Sequence, residues 1–161
     1  MEQTKKSNPK GKKVDPIPQG YHTVTPSLMV SQADMLIEFI KKAFDGEVTS
    51  IYKSEDGKIM HATVKIGDSI VMIGDANEKY GPMSSMLHLY VNDCDKVYQQ
   101  ALKAKGSSIR EPINEFYGDR TACVKDAWDN QWWISTHVED VDDEEMQKRM
   151  KEFEAHAQEV Q

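Results

Sequence analysis

Hydrophobic and polar positions along the chain fall into one pattern written twice. Residues 22–30 alternate as a β-strand does, and Ser31-Gln32-Ala33-Asp34 then resembles a helix N-cap with an acid three residues on. Leu36, Ile37, Phe39, Ile40 and Ala43 follow at helical spacing. The stretches 47–53, 58–66 and 69–75 are strand-like, joined by the turn signals Glu55-Asp56-Gly57 and Gly67-Asp68. The second copy runs in the same order: a strand at 86–92, Asn92 as cap with Asp95 three on, a helix at 93–105 ended by Gly106, and strands near 107–116, 119–126 and 131–137. Pairing each residue of 27–74 with the one 61 positions later, without a gap, matches Val30 with Val91, Asp34 with Asp95, Ala43 with Ala104, Gly57 with Gly118, Asp68 with Asp129 and Ile73 with Ile134. Such self-similarity reports architecture before any single motif does.

The expected organisation is a leader at 1–19, a βαβββ module at 20–75, a linker at 76–85, a second βαβββ module at 86–140 and a C-terminal segment at 141–161. In that last segment 142–158 reads as a helix, because acids crowd its start and Lys148, Arg149 and Lys151 come later. The leader holds Lys5, Lys6, Lys10, Lys12 and Lys13 among Ser, Asn, Pro and Gly, a composition expected of a solvated tail.

Strand side chains alternate faces, so parity sorts them. Leu87, Leu89 and Val91 form one apolar face and leave Met86, His88 and Tyr90 opposite; Leu28 and Val30 likewise leave Ser27 and Met29. Met60, Ala62, Val64 and Ile66 are expected under the helix with His61, Thr63 and Lys65 away, and the gapless repeat then sends Thr121 and Cys123 inward and Arg120, Ala122 and Val124 outward. Val71 and Ile73 match Trp132 and Ile134 on the helix side, with Met72 and Trp133 facing away. A second face carrying His61, His88, Tyr90, Arg120 and Trp133 implies a concave sheet and a cleft shared by the modules, since a convex apolar patch would associate.

At 161 residues the chain can bury one good core, and 39% hydrophobic with 29% charged residues is ordinary for a globular protein. A net charge of −7 disfavours nucleic acid as the main partner. No apolar run is long enough to span a membrane, and no signal-peptide pattern is present. Two cysteines outside any C-x-x-C spacing point to a reducing, cytoplasmic setting.

Several stretches resemble one family. Gly20-Tyr21-His22-Thr23-Val24-Thr25-Pro26, Gly57-Lys58-Ile59-Met60-His61-Ala62, Leu87-His88-Leu89-Tyr90-Val91, Tyr117-Gly118-Asp119-Arg120 and Thr136-His137-Val138-Glu139-Asp140 occur in order. Together with the paired modules they resemble the PhnB-like branch of the vicinal oxygen chelate superfamily, which includes glyoxalase, bleomycin-resistance proteins and extradiol dioxygenases. The resemblance implies a cleft lined by both modules and a homodimer, with modules sometimes paired across chains. It also implies that metal-binding members place ligands at the positions held here by Ser27, Met72, His88 and Trp133. A thioether and an indole are poor donors for Zn, Mg or Mn, so no metal and no cofactor are expected.

His88 is therefore the candidate acid/base or ligand-contacting group, against a plain hydrogen-bonding role. Arg120 is the candidate anion-binding group, against a structural pair with Asp119 or another acid. His61 sets a possible ligand contact against hydrogen bonding to a carbonyl, while Tyr90, Trp133, Met72 and Ser27 complete the candidate lining, with stacking surface from Trp133 and adaptable volume from Met72. The reading is a metal-independent binder of an anionic or aromatic organic molecule. An enzyme (a lyase, isomerase or dioxygenase relative) using a divalent metal on His88 and His61, and an interaction protein with a vestigial cleft, are the alternatives.

Overall fold

The computed structural model describes residues 14–159, so residues 1–13 of the expected leader lie outside the described part. The elements are β1 (Ser27–Val30), α1 (Ala33–Phe44), β2 (Glu47–Lys53), β3 (Ile59–Ile66), β4 (Ser69–Asp75), β5 (Met86–Tyr90), α2 (Cys94–Lys103), β6 (Ser107–Asn114), β7 (Asp119–Lys125), β8 (Gln131–His137) and α3 (Asp143–Glu159). They form two four-stranded sheets, ordered β1-β4-β3-β2 and β5-β8-β7-β6. In each, the first strand runs parallel to the fourth and the remaining pairs are antiparallel. This is the α+β architecture of two βαβββ modules with a C-terminal helix that the sequence leads one to expect.

α1 and α2 pack against each other as well as on their own sheets. One core joins the two modules: Leu28, Val30, Leu36, Ile40, Val64 and Ile73 from the first, and Cys94, Tyr98, Ala122, Val124, Trp132 and Ile134 from the second. Its centre is aromatic. Phe39 and Phe44 of α1 lie 6.4 and 4.8 Å from Trp132 of β8, centroid to centroid, and Trp132 is fully buried. Truncating an aromatic so placed costs about 3–5 kcal/mol.

The helices begin differently from the sequence expectation. Gln32 occupies the N-cap of α1 with left-handed dihedrals and no side-chain cap bond. The first amide, of Ala33, is instead taken by Asp75 Oδ1 at 2.9 Å, from the end of β4. In the second module the equivalent position is Thr136, whose Oγ1 accepts from the Cys94 amide at 2.8 Å, while the cap is Asp93 rather than Asn92. Each helix is thus closed by the last strand of its own sheet, which satisfies amide groups that no intrahelical partner reaches.

The repeat hides a compensated shift. Ala62 pairs with Ile73 and Ala122 with Ile134, so β3 and β7 correspond at an offset one residue shorter than the other strands. The extra residue of β3 sits in a bulge, where Tyr52 pairs with His61 but Lys53 with Ile59. A longer β7–β8 loop restores the count. Parity in β7 is therefore the reverse of the expectation: Ala122 and Val124 face the helices, and Thr121 and Cys123 face away.

Candidate functional site

The face of the second sheet turned away from the helices is ordered in rows across the strands. His88, Trp133, Cys123 and Arg110 form one row, and Tyr90, Ser135, Thr121 and Ile113 the next. His137 pairs with Asp119 in a third. With strands about 4.8 Å apart, the first row spans about 14 Å. Thr121, Cys123 and Ser135 are fully buried floor residues between larger neighbours, while Tyr90 is 67% exposed.

Two hydrogen-bonded chains organise this face. The His88 ring stacks on the Tyr90 ring at 5.1 Å with 29° between planes, and His88 Nε2 shares a 2.8 Å hydrogen bond with Ser135 Oγ, which shares another of 2.8 Å with Thr121 Oγ1. The Tyr90 hydroxyl donates to Asp119 Oδ2 at 2.8 Å. His137 Nδ1 lies 2.7 Å from Asp119 Oδ1 and its Nε2 lies 2.9 Å from Asp140 Oδ1. The bonds to Asp119 and then Asp140 raise the His137 pKa above its ordinary value, which favours the imidazolium that can donate to both. Donation to Asp119, aided by burial and nearby negative charge, raises the Tyr90 hydroxyl and keeps it protonated. Asp119 itself is 4% exposed.

On the first sheet, Ser27, Met72, Thr63 and Ser50 form the corresponding row. His61 Nε2 lies 3.2 Å from Thr63 Oγ1, and its ring is 6.4 Å from that of Tyr52. The chain before β1 crosses this face: the Tyr21 hydroxyl is 3.2 Å from Thr63 Oγ1. A hollow of about 440 Å³ between the starts of β1 and β5 is lined by Pro26, Ser27, Leu28, Ser85, Met86, Leu87 and His88. It brings Ser27 and His88 together; His61, Met72, Tyr90, Arg120 and Trp133 do not line it.

Arg120 is a correction. It belongs with Ala122 and Val124 on the helix side, where its guanidinium holds Asp95 of α2 at 2.5 and 2.7 Å and Asn114 Oδ1 at 3.0 Å. Hydrogen bonding to Asp95 raises the Arg120 pKa and lowers that of Asp95. The bulge in β3 is the reason parity misplaced it. The guanidinium that does reach the outer face is that of Arg110, opposite Cys123, and it stands 2.5 Å from Glu115 Oε1 in an ion pair too poorly aligned to satisfy that oxygen by a hydrogen bond.

Neither thiol is poised for chemistry. Burial pushes Cys123 up to about 11 and raises Cys94, whose Sγ donates to the Ile134 carbonyl. The donor set does not fit a metal either: the register places Ser27 beside Met72 and His88 beside Trp133, so the four implied ligand positions offer one imidazole, one hydroxyl, a thioether and an indole. Among the described residues no three His, Cys, Asp or Glu side chains are grouped to hold an ion.

Sequence reasoning missed Asp119, His137, Arg110 and Tyr21. The Tyr117-Gly118-Asp119-Arg120, Thr136–Asp140 and Gly20–Pro26 stretches were the available signals for Asp119, His137 and Tyr21; for Arg110 only strand register reveals its place.

Residues 21–134 match the family model described as the glyoxalase/bleomycin resistance protein/dioxygenase superfamily. An uncharacterized protein of Mycobacterium bovis is 30% identical over 138 residues, covering 79% of this chain and 91% of that protein. Among solved structures, TioX from Micromonospora sp. ML1 superposes with a TM-score of 0.60 at 19% identity over 71% of this chain and 99% of its own. A protein from Bacillus cereus described as a putative 3-demethylubiquinone-9 3-methyltransferase, PhnB protein, gives 0.55 at 19% identity over 71% and 99%.

Proposed function

The chain belongs to the glyoxalase/bleomycin resistance protein/dioxygenase superfamily, and on that premise we propose that it binds a small planar organic molecule without a resident metal. The observation that carries this reading is the stacked His88–Tyr90 pair beside Trp133 on a sheet face that no helix covers. Aromatic faces in a row suit a planar ligand, which they hold through offset stacking. The anionic ligand expected from Arg120 loses its support, because that guanidinium is committed to Asp95 and Arg110 stands against Glu115. Binding thus rests on π-surface, with Ser27 across the hollow from His88 available for a polar contact.

A second copy of the chain forms part of the proposal. Met60 of β3, Met86 of β5 and Met83 between β4 and β5 are 67–69% exposed, and such adaptable apolar surface suits a homodimer interface. Two free, buried thiols agree with a reducing, cytoplasmic setting. No helix of the described residues is long and apolar enough to cross a membrane.

The test is thermal denaturation against matched panels of planar aromatic and aliphatic compounds. A ligand at about 100 times its Kd adds roughly 2.7 kcal/mol, a rise of about 5–10 °C for a chain of this size. The rise should vanish in Trp133→Ala and His88→Ala and persist in Arg120→Ala. Aliphatic hits only, or hits indifferent to Trp133, would refute the reading. Metal analysis of protein purified without chelator closes the alternative: a stoichiometric transition metal lost in His88→Ala would replace binding by metal-dependent catalysis.

A further inference from the structure

Asp119 has no role in the proposed binding reading, yet it is the buried member of the network beneath it. Its two oxygens are divided: Oδ2 takes the Tyr90 hydroxyl at 2.8 Å and Oδ1 takes His137 Nδ1 at 2.7 Å. Through Tyr90 this carboxylate fixes the ring on which His88 stacks. We propose that Asp119 is the positioning residue of the ligand platform, locking Tyr90 against His88 and clamped in turn by His137. The inference rests on the binding reading for its purpose, though its physical content does not.

The geometry gives it a direction. An exposed tyrosine ring on a strand samples several rotamers unless its hydroxyl is anchored. Here the anchor is a carboxylate whose other oxygen is held by an imidazole, so that rotation of Asp119 would break two contacts at once. Because the Tyr90 proton points inward to Asp119, the phenol oxygen offers only lone pairs to the open side. A ligand atom beside it must be a hydrogen-bond donor, as an aromatic N–H or hydroxyl is. A carboxylate there would meet lone pairs and the nearby charge of Asp119. Around His137 the facing groups are Asp119 on β7, Asp140 after β8 and Tyr90 on β5; the neighbouring Glu139 is engaged by Arg149 of α3. The platform is therefore specific for donors.

The experiment uses the full chain, with histidine side-chain NMR titrations and fluorescence-detected binding of naphthol as an uncharged planar aromatic probe with a hydroxyl donor. Asp119→Ala should abolish the upfield ring-current shift of the His88 ring protons, lower the His137 midpoint, and weaken probe binding about ten-fold. Asp119→Asn, which keeps an acceptor for Tyr90, should restore the His88 shift and most of the probe affinity while leaving the His137 midpoint low. That split is what a merely structural carboxylate would not give. If Asp119→Ala remains folded by circular dichroism and its His88 shift is unchanged, the inference is wrong. If Asp119→Ala does not fold, Tyr90→Phe decides: a lowered His88 shift and weaker probe binding support the anchor, and wild-type values overturn it. A wild-type protein that shows the His88 and His137 behaviour but binds neither the probe nor any planar compound would overturn the binding reading and leave the positioning role standing.

Discussion

Asp126, immediately after β7, is the most demanding carboxylate in the structure, and replacing it gives the sharpest prediction. It is 4% exposed and accepts four hydrogen bonds: Oδ1 takes the amides of Trp128 and Asn130 at 2.9 and 3.0 Å, and Oδ2 takes Asn130 Nδ2 at 2.8 Å and Trp132 Nε1 at 2.9 Å. Asn130 passes the connection on by accepting from the Ser85 amide at 2.9 Å. In Asp126→Ala the part-buried Trp128 amide can turn to water and the buried Asn130 amide can do so only if the loop loosens, while Trp132 Nε1 and Asn130 Nδ2 belong to fully buried side chains. Each orphaned buried donor costs about 1–3 kcal/mol, so the expected loss is about 3–5 kcal/mol once the looser loop is included. At 2–4 °C per kcal/mol that lowers Tm by roughly 6–20 °C. Asp126→Asn should lose about 2–4 kcal/mol, because its amide nitrogen would face two donors. Urea unfolding measures both, and Trp132→Phe supplies the cycle: with the indole N–H gone, Asp126→Asn should cost about 1 kcal/mol less than it does in the wild-type background. An Asp126→Asn protein within about 0.5 kcal/mol of wild type would refute the account.

Gly118 has φ +98, and a Cβ there would collide with the Glu139 carbonyl oxygen, so Gly118→Ala should lose about 1–3 kcal/mol or more in urea unfolding and loosen the chain leading to α3. Because the folded His137 pKa is raised, its contribution to stability is complete below the unfolded value and disappears as pH rises through the folded one. The urea midpoint should therefore fall as pH rises across that window in wild type and show no such step in His137→Gln. Arg120→Ala should lower stability slightly, since its pair with Asp95 is open to solvent, and should leave probe binding unchanged; weaker binding would restore Arg120 to the site.

The strands and helices were legible because their faces differ so strongly in polarity: β2, β4 and β8 begin and end where alternation and turn residues place them. The outward face of His88, Tyr90 and Trp133 was legible for the same reason, these being the exceptions to an apolar alternation. Arg120 was misread because the bulge at Ile59–Met60 and the longer β7–β8 loop cancel in the count, so a gapless repeat concealed a reversal of parity. The caps were misread because a helix amide donates to any carboxylate brought near it, and Asp75 arrives from 42 residues away. Asp119 and His137 were invisible as a pair since only register makes neighbours of residues on adjacent strands.

Phe44 resting on Trp132 has a consequence for any attempt to divide the molecule. Cleavage within the linker would yield two fragments, each with an aromatic surface shaped for the other and no substitute of its own. They should be recovered as a non-covalent couple after mixing, and neither should persist as a folded species alone. The duplication written in the chain has thus become an obligate partnership, in which each half serves as the other's missing wall.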